Sequence, residues 1–226
     1  MTGPDFWIIA GPNGAGKTTL VSRGMFGDVV PVHALVNPDD ITLEYLKAEG
    51  IQTWADAPLE TQKRLFVKAS DEAQRRLEHK IETGGVAVVE SVLSTKKYCP
   101  LVERTLELGG RFFLIYVILS SAQLSRARVT SRAAHGGHDV PSDKLERRWL
   151  DSLALAPWFA AHAAQFWIVD NSNAERGVDP ALVLTGGPDS IRLHPRPDDA
   201  SVDAIALRLL RGIVKQRNDP RLKIEA

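Results

Sequence analysis

The sequence contains a single cysteine, Cys99, among 226 residues. One cysteine cannot form an intrachain disulfide and offers no cysteine metal cluster, which fits a reducing compartment. Cys99 precedes Pro100 and has no adjacent histidine, so a catalytic thiol is disfavoured. The scarcity of cysteine excludes a scaffold held together by disulfides.

Neither sign of charge is in excess, because 28 Lys and Arg residues balance 28 Asp and Glu residues. A neutral chain lacks the broad basic field that drives nonspecific nucleic-acid binding, so a polynucleotide substrate is disfavoured. No apolar run is long enough to span a bilayer, and the first residues lack the positive charge of a signal peptide. We therefore expect a soluble, cytoplasmic protein with no membrane partner.

Short apolar runs do alternate with longer amphipathic stretches. The runs predict strands over residues 6–10, 34–37, 86–90, 111–119 and 166–170. A first helix is predicted to begin near residue 16. Further helices are predicted over residues 39–49, 59–82, 98–108, 123–134 and 202–216. One more begins near residue 141 and continues until Pro157 bends or ends it. Apolar strands separated by helices indicate parallel β-α-β units, hence a three-layer α/β/α fold with a mostly parallel sheet.

The length is enough for one sizeable α/β domain, which we expect to cover residues 1–226. After residue 172 the chain is rich in Gly, Pro and Asp. The short runs 181–184 and 191–193 predict an edge hairpin, and the last predicted helix is followed by a polar tail. No function is assigned to residues 173–226.

A glycine-rich loop is the strongest functional signal. Two glycines, Gly11 and Gly16, stand at the P-loop spacing and are followed by Lys17 and Thr18. The loop comes directly after a predicted strand and opens a helix, as phosphate binding by backbone N–H groups and a helix amino terminus requires. Lys17 is expected to bridge the β- and γ-phosphates of ATP, and the Thr18 hydroxyl to ligate Mg²⁺.

The residues expected to bind the nucleotide include the whole loop and one residue from a later turn. They are Gly11, Pro12, Asn13, Gly14, Ala15, Gly16, Lys17, Thr18, Thr19 and Asn171. Transporter-type ATPases share the loop, but they also need an LSGGQ-like signature and a strand ending in Asp-Glu. The sequence has neither, so that class is excluded.

Further segments follow the loop in a definite order. They are Asn37-Pro-Asp-Asp-Ile41, Glu90-Ser91, Arg128-Val-Thr-Ser-Arg132 leading into Gly136-Gly-His-Asp-Val-Pro141, Arg147-Arg148 and Asp170-Asn-Ser172. With the P-loop, these segments make residues 6–172 similar to the zeta-toxin family of small-molecule kinases. The resemblance implies transfer of the ATP γ-phosphate to a hydroxyl of a small molecule, with UDP-N-acetylglucosamine the best-known acceptor in the family.

The resemblance places the general base at the carboxyl end of the second strand, on Asp39. A purely structural interpretation makes Asn37 the N-cap of a helix and makes Asp39 and Asp40 ordinary acidic residues of its first turn. The structural and the catalytic interpretation of Asp39 are compatible. Glu90 and Ser91 are implied to bind the acceptor. By general P-loop logic, Glu90 could instead hold a magnesium-bound water, or it could cap the next helix.

Arginines that neutralise charge on the transferred phosphoryl group are expected beside the glycine-bearing lid segment. Arg132 is the first candidate and Arg128 the second, since they lie four apart on one predicted helix. At most one of Arg147 and Arg148 is expected to reach the phosphates, because adjacent residues face different ways; we assign Arg148 to substrate binding. His135 and His138 are interpreted as lid residues, and Asn171 either lines the adenine pocket or belongs to a plain turn.

Two other functions share these motifs. One is a kinase for a different acceptor, such as an antibiotic, a nucleoside or a nucleic-acid 5′ end. The other is a non-catalytic protein that binds ATP and signals through a partner. The family's toxic members are held inactive by a small helical antitoxin, so the resemblance also implies an antitoxin as a candidate protein partner.

Overall fold

The computed structural model describes residues 3–24, 26, 29–134, 142–173, 179–194 and 200–225. The strands are β1 (Asp5–Ala10), β2 (Leu35–Val36), β3 (Val86–Ser91), β4 (Arg111–Ile118), β5 (Gln165–Asp170), β6 (Ala181–Gly186), β7 (Ser190–Leu193) and β8 (Lys223–Glu225). The helices are α1 (Lys17–Ser22), α2 (Pro38–Ala48), α3 (Leu59–Glu82), α4 (Cys99–Glu107), α5 (Ala122–Ala134), α6 (Ser142–His162) and α7 (Ala200–Arg217). Short 3₁₀ turns cover Val32–Ala34, Trp54–Asp56 and Lys96–Tyr98.

Within the described residues, the strands form one sheet in the order β2-β3-β1-β4-β5-β6-β7-β8. The strands from β2 to β5 are parallel, β6 runs antiparallel to both β5 and β7, and β8 pairs parallel with β7. Parallel strands bring their carboxyl ends to one edge of a sheet. Residues that come directly after β1, β2, β3, β4 and β5 therefore meet at that edge, which we call the site edge.

Both faces of the parallel strands are buried, which is why their sequences are continuous apolar runs. Alternate residues of β1 and β4, such as Ile8 and Leu114, pack with α3, α4, α6 and α7 into the larger core cluster. The intervening residues, such as Ile9 and Ile115, pack with Leu20 of α1 on the opposite face. The predicted three-layer α/β/α class with a mostly parallel sheet is confirmed.

The prediction that Pro157 bends or ends its helix was wrong about the end, because α6 continues to His162 with Pro157 inside it. A proline in a helix removes one backbone hydrogen bond, so the helix needs tertiary support there. α7 gives that support: a Cβ on Gly212 would lie 2.7 Å from Cγ of Pro157. The close approach of the two helices at this point is thus built around a glycine.

The region beyond α7 also differs from the prediction of a polar tail after the helix. Residues 223–225 form β8, which pairs with β7, and Arg192 donates to Glu225 at 3.1 and 2.8 Å. The strand is only three residues long and all three are exposed, so its pattern is too short to indicate a strand from the sequence. The predicted hairpin of β6 and β7 is confirmed, but β8 lies outside it at the edge.

No described helix is long and apolar enough to cross a membrane. The predicted lid segment Gly136–Pro141, with His135 and His138, lies outside the described residues. The interpretation of these residues as a lid stays a prediction.

Candidate active site

The glycine-rich loop joins β1 to α1 and lies at the site edge of the sheet. Gly11 has φ 145°, and a Cβ there would lie 2.3 Å from the carbonyl oxygen of Val117. Gly16 has φ 86°, and a Cβ there would lie 2.5 Å from Nδ2 of Asn171. Both positions combine a positive φ with a close approach that a side chain would block. The loop therefore depends on these two glycines for its path.

Lys17 is buried, with 8% of its surface exposed. Its ammonium group donates to the carbonyl oxygens of Gly11 at 2.9 Å and Pro12 at 3.2 Å, so it lies inside the curl of the loop. Burial lowers the pKa of Lys17, whereas the nearby Glu90 carboxylate raises it. Arg132 lowers the same pKa and Asp39 raises it. Charged groups from β3, α5 and α2 thus converge on one ammonium group at the phosphate loop.

Thr18 and Glu90 form the contact between the loop and β3. The Thr18 hydroxyl lies 3.1 and 3.0 Å from the two carboxylate oxygens of Glu90. Since a carboxylate only accepts, the hydroxyl donates its proton to Glu90 and keeps its oxygen lone pairs free on the other side. The parallel register places Glu90 beside Ile9, so its carboxylate emerges at the edge where the loop begins.

This pair of oxygen donors fits Mg²⁺, which prefers oxygen ligands and keeps several waters and phosphate oxygens in its coordination sphere. Thr18 would be the direct ligand, with Glu90 fixing the orientation of its hydroxyl. In the part of the chain that the structure describes, no three His, Cys, Asp or Glu side chains cluster as a metal site.

Asp39 lies in the first turn of α2, immediately after β2. Asn37 caps the helix, its side chain accepting from the Asp39 backbone N–H at 3.0 Å, and Pro38 occupies the first helical position. Asp39 and Asp40 are both exposed. The cap thus exists as the local interpretation expected. It is also compatible with the functional one, because the Asp39 carboxylate is close enough to Lys17 to raise its pKa.

The two candidate arginines of α5 occupy different places. The Arg128 guanidinium donates to the carbonyl oxygens of Asn171 at 2.8 Å, Asn173 at 3.1 Å and Ser172 at 3.4 Å. Its described contacts therefore hold the loop after β5. Arg132 is exposed, and its charge lowers the pKa of Lys17. Arg128 also starts beside the phosphate loop, since a Cβ on Gly14 would lie 3.1 Å from Cβ of Arg128.

The adjacent arginines of α6 also differ in their surroundings. Arg147 is highly exposed and pairs with Asp151 one turn later at 3.6 Å. Arg148 is partly buried. The two side chains leave the helix in different directions, as the sequence predicted for neighbours.

The loop after β5 is tied directly to the P-loop. Asn171 donates through Nδ2 to the carbonyl oxygen of Ala15 at 2.8 Å, and its backbone N–H donates to Ile118 at 3.2 Å. The Ser172 hydroxyl donates to the buried carboxylate of Asp170 and accepts from the Ser120 N–H at 2.7 Å. The turn is thus a fixed wall beside the phosphate loop.

On the other side of the loop, Ser91 ends β3. Its hydroxyl oxygen accepts from the Leu93 N–H at 3.0 Å, while the Gly11 N–H donates to the Ser91 carbonyl at 3.2 Å. Leu93 is buried with φ 60°, a conformation that is uncommon for residues other than glycine. The segment that carries Glu90 and Ser91 therefore leaves the sheet through a tightly held turn.

The sequence analysis did not identify the buried serine hydroxyl groups that donate to loop carbonyl groups beneath the site edge. Ser125 of α5 donates to the Asn13 carbonyl oxygen at 2.6 Å, and Ser152 of α6 donates to the Val92 carbonyl oxygen at 2.6 Å. Both serines are fully buried. In the sequence, each serine is visible only as a polar residue on the apolar face of a predicted helix. That pattern does not indicate which group the hydroxyl contacts.

No protein-family model matches the sequence, and no curated protein matches it. Solved structures do match. Two AvrRxo1-ORF1:ORF2 complexes, one with ATP and one with sulphate ions, give TM-scores of 0.58 and 0.63 at 16% identity. The matches cover 81% and 90% of this chain but only 58% and 64% of those chains.

The PezAT chromosomal toxin-antitoxin system of Streptococcus pneumoniae gives a TM-score of 0.54 at 15% identity, covering 96% of this chain and 87% of that chain. At these identities the likeness concerns the fold. The chain shares its fold with these AvrRxo1-ORF1:ORF2 and PezAT structures. A likeness to a toxin-antitoxin system is in line with the resemblance that the motifs predicted.

Proposed function

We propose that the chain is an ATP- and Mg²⁺-dependent phosphotransferase of zeta-toxin type, which transfers the γ-phosphate of ATP to a hydroxyl of a small molecule. The observation that carries the proposal is the buried ammonium of Lys17 inside the curl of the loop, beside the Thr18 hydroxyl that donates to the Glu90 carboxylate. Asp39 and Arg132, from α2 and α5, also act electrostatically on Lys17. Lys17, Asp39 and Arg132 are the types of group that phosphoryl transfer requires: a phosphate cation, a base and a further arginine.

Each residue has a role in the proposed reaction. The backbone N–H groups of the loop and Lys17 hold the phosphates, and Lys17 exchanges its contacts with Gly11 and Pro12 for phosphate oxygens. Asp39 accepts the proton of the acceptor hydroxyl as that oxygen attacks the γ-phosphorus and the bond to the β-phosphate oxygen breaks. Arg132 neutralises charge on the transferred group. Thr18 would hold Mg²⁺, which would supply positive charge beside the phosphates.

Arg128 takes a different part in this proposal. Its contacts with three successive carbonyl groups hold the loop that begins at Asn171. That loop is bonded to Ala15 and stands beside the phosphate loop, where the base and ribose of ATP would extend. Arg128 and Asn171 would thus shape the nucleotide side.

The acceptor is proposed to be a nucleotide sugar such as UDP-N-acetylglucosamine. Sugar hydroxyls need carboxylate and hydroxyl partners, which Asp39, Glu90 and Ser91 supply, and a nucleotide's phosphates need a cation, which Arg148 supplies. Support for this particular acceptor comes from the motif resemblance. The partial coverage of the AvrRxo1-ORF1:ORF2 chains leaves the activity and acceptor of the whole protein as part of the proposal.

A protein partner is also proposed. The structural neighbours include a toxin-antitoxin system and two-component AvrRxo1-ORF1:ORF2 complexes. A small antitoxin that covers the nucleotide site would fit an active kinase whose product is harmful. A non-catalytic, nucleotide-gated role would need the same binding loop, but it leaves Asp39 and Arg132 without a task.

Label transfer tests the proposal. Purified protein, Mg²⁺ and γ-labelled ATP would be incubated with a panel of nucleotide sugars and small hydroxylated metabolites, and products followed by mass spectrometry. Transfer to one acceptor supports the kinase and names its substrate. Tight ATP binding without transfer to any acceptor, together with a stable complex recovered from cells, would contradict it and favour the nucleotide-gated role.

A further inference from the structure

A buried chain of hydrogen bonds lies directly beneath the acceptor side of the site edge. The hydroxyl groups of Tyr116 in β4 and Ser152 in α6 are 2.8 Å apart, and Ser152 also lies 2.6 Å from the carbonyl oxygen of Val92. Both side chains are fully buried. Because a carbonyl oxygen only accepts, Ser152 donates to Val92 and Tyr116 must donate to Ser152. All hydrogen bonds of this series therefore donate in the same direction, from β4 through α6 to the turn after β3.

The sheet register places this chain under the turn after β3. Tyr116 is level with Ala10 of β1, and Ala10 is level with Ser91 of β3. Val92 follows Ser91 and precedes Leu93, whose φ of 60° is unfavourable for a leucine. An unfavourable backbone conformation persists only where surrounding contacts impose it, and such positions cluster at ligand sites. The Ser91 hydroxyl accepts from the Leu93 N–H and the Ser152 hydroxyl donates to the Val92 carbonyl, so both hold the peptide group between Val92 and Leu93.

The same contact also fixes α6. Ser152 lies four residues after Arg148, so the two side chains share a face of the helix. A bond from Ser152 to Val92 therefore sets the distance between the turn that carries Ser91 and the helix turn that carries Arg148. Two parts of the acceptor side that are far apart in sequence share a single buried anchor.

We propose that Tyr116 and Ser152 are positioning residues that hold the turn after β3 and α6 in the arrangement that binds the phosphoryl acceptor. Their role in binding the acceptor rests on the proposed function. Tyr116 and Ser152 act through Ser91 and Arg148 and contact neither ATP nor the acceptor. Tyr116→Phe removes one donor and leaves Ser152 bonded to Val92. Ser152→Ala removes the link itself and leaves both Tyr116 and the Val92 carbonyl without this partner.

Two other buried hydroxyl groups provide matched controls. Ser125 also donates to a loop carbonyl at 2.6 Å, but on the nucleotide side, at Asn13. Thr105 in α4 is fully buried and donates to Leu101 at 2.7 Å within its own helix, away from the site edge. Ser125→Ala and Thr105→Val therefore remove a comparable buried bond at a different place.

The test combines amide hydrogen exchange of the ligand-free protein with steady-state kinetics. We expect Ser152→Ala to speed exchange of amides 91–94 and raise the KM for the acceptor about tenfold, with the KM for ATP unchanged. Tyr116→Phe should speed exchange of the same amides and raise the KM for the acceptor, each about threefold. Ser125→Ala should raise the KM for ATP instead, and Thr105→Val should change neither KM.

Two outcomes would overturn the positioning role. The first is an unchanged rate of hydrogen exchange at amides 91–94 in Ser152→Ala, whatever the activity of that variant. Equal rises in both KM values would indicate a general loss of structure. If the wild-type protein transfers phosphate to no acceptor, the proposed function fails, and exchange alone decides whether Tyr116 and Ser152 hold the turn.

Discussion

The two halves of the site are built in different ways. The proposed nucleotide half is built around one unbroken segment, residues 11–18, whose lysine is buried and bonded to carbonyl groups of the same segment. The proposed acceptor half consists of Asp39, Glu90, Ser91 and Arg148, which come from α2, β3 and α6. Asp39 is exposed, whereas Lys17 is 8% exposed.

The difference reflects what each half must recognise. Phosphate is the same in every nucleotide, so a short loop with fixed backbone N–H groups is sufficient to bind it. An acceptor needs its own arrangement of donors and acceptors, and these come from several loops at the strand ends. The nucleotide half is therefore mainly local, with distant support from Asn171 and Ser125, and the acceptor half depends throughout on the packing of distant elements. Variants in the two halves should separate these properties.

The largest effect is expected in the nucleotide half. Lys17→Ala should reduce phosphoryl transfer about 1,000-fold, because it removes the one buried cation of the described loop. Rapid-quench measurement of label transfer would give the value, with thermal unfolding to confirm that the variant is folded. A reduction of less than tenfold would mean that Lys17 is not the phosphate cation.

The next effect concerns the base. Asp39→Asn should lower kcat about 100-fold and leave ATP affinity unchanged, since the amide keeps the shape but cannot accept the proton. Asp40→Asn is the matched control, because it removes the same charge from the same helix turn and should stay within about twofold. If Asp40→Asn showed the large loss instead, the base assignment would move to Asp40.

Glu90 joins the two halves through Thr18. Glu90→Gln should weaken the apparent affinity for Mg²⁺ about 30-fold, because an amide holds the Thr18 hydroxyl less firmly and carries no charge. Titration of activity with Mg²⁺ at saturating ATP would measure this. An unchanged Mg²⁺ requirement with a raised acceptor KM would show that Glu90 belongs to the acceptor half alone.

The smallest effect is expected at the two arginines of α6. Arg148→Ala should lower kcat/KM for the acceptor about fivefold, because a partly exposed cation loses a charge-assisted hydrogen bond. Arg147→Ala, which removes an exposed side chain paired with Asp151, should stay within about twofold. Equal effects from the two variants would contradict the assignment of Arg148 to the acceptor half.

The fold class and the position of the phosphate-binding loop were predictable from the sequence alone. Buried parallel strands need continuous apolar runs, and a phosphate loop needs glycines at fixed spacing, so both leave contiguous patterns. The N-cap at Asn37 was also visible, since its bond to the Asp39 N–H spans only two residues. Local interactions are encoded by neighbours in the chain, and sequence patterns can reveal them.

Contacts between distant segments, in contrast, depended on the tertiary fold. The fold placed the Arg128 guanidinium on the loop after β5. It continued α6 past Pro157, where the sequence suggested a bend or an end, and packed Gly212 of α7 against that proline. It also brought Tyr116, Ser152 and Val92 together across 60 residues of chain. Such contacts depend on sheet order and helix packing, which no short segment of the sequence specifies.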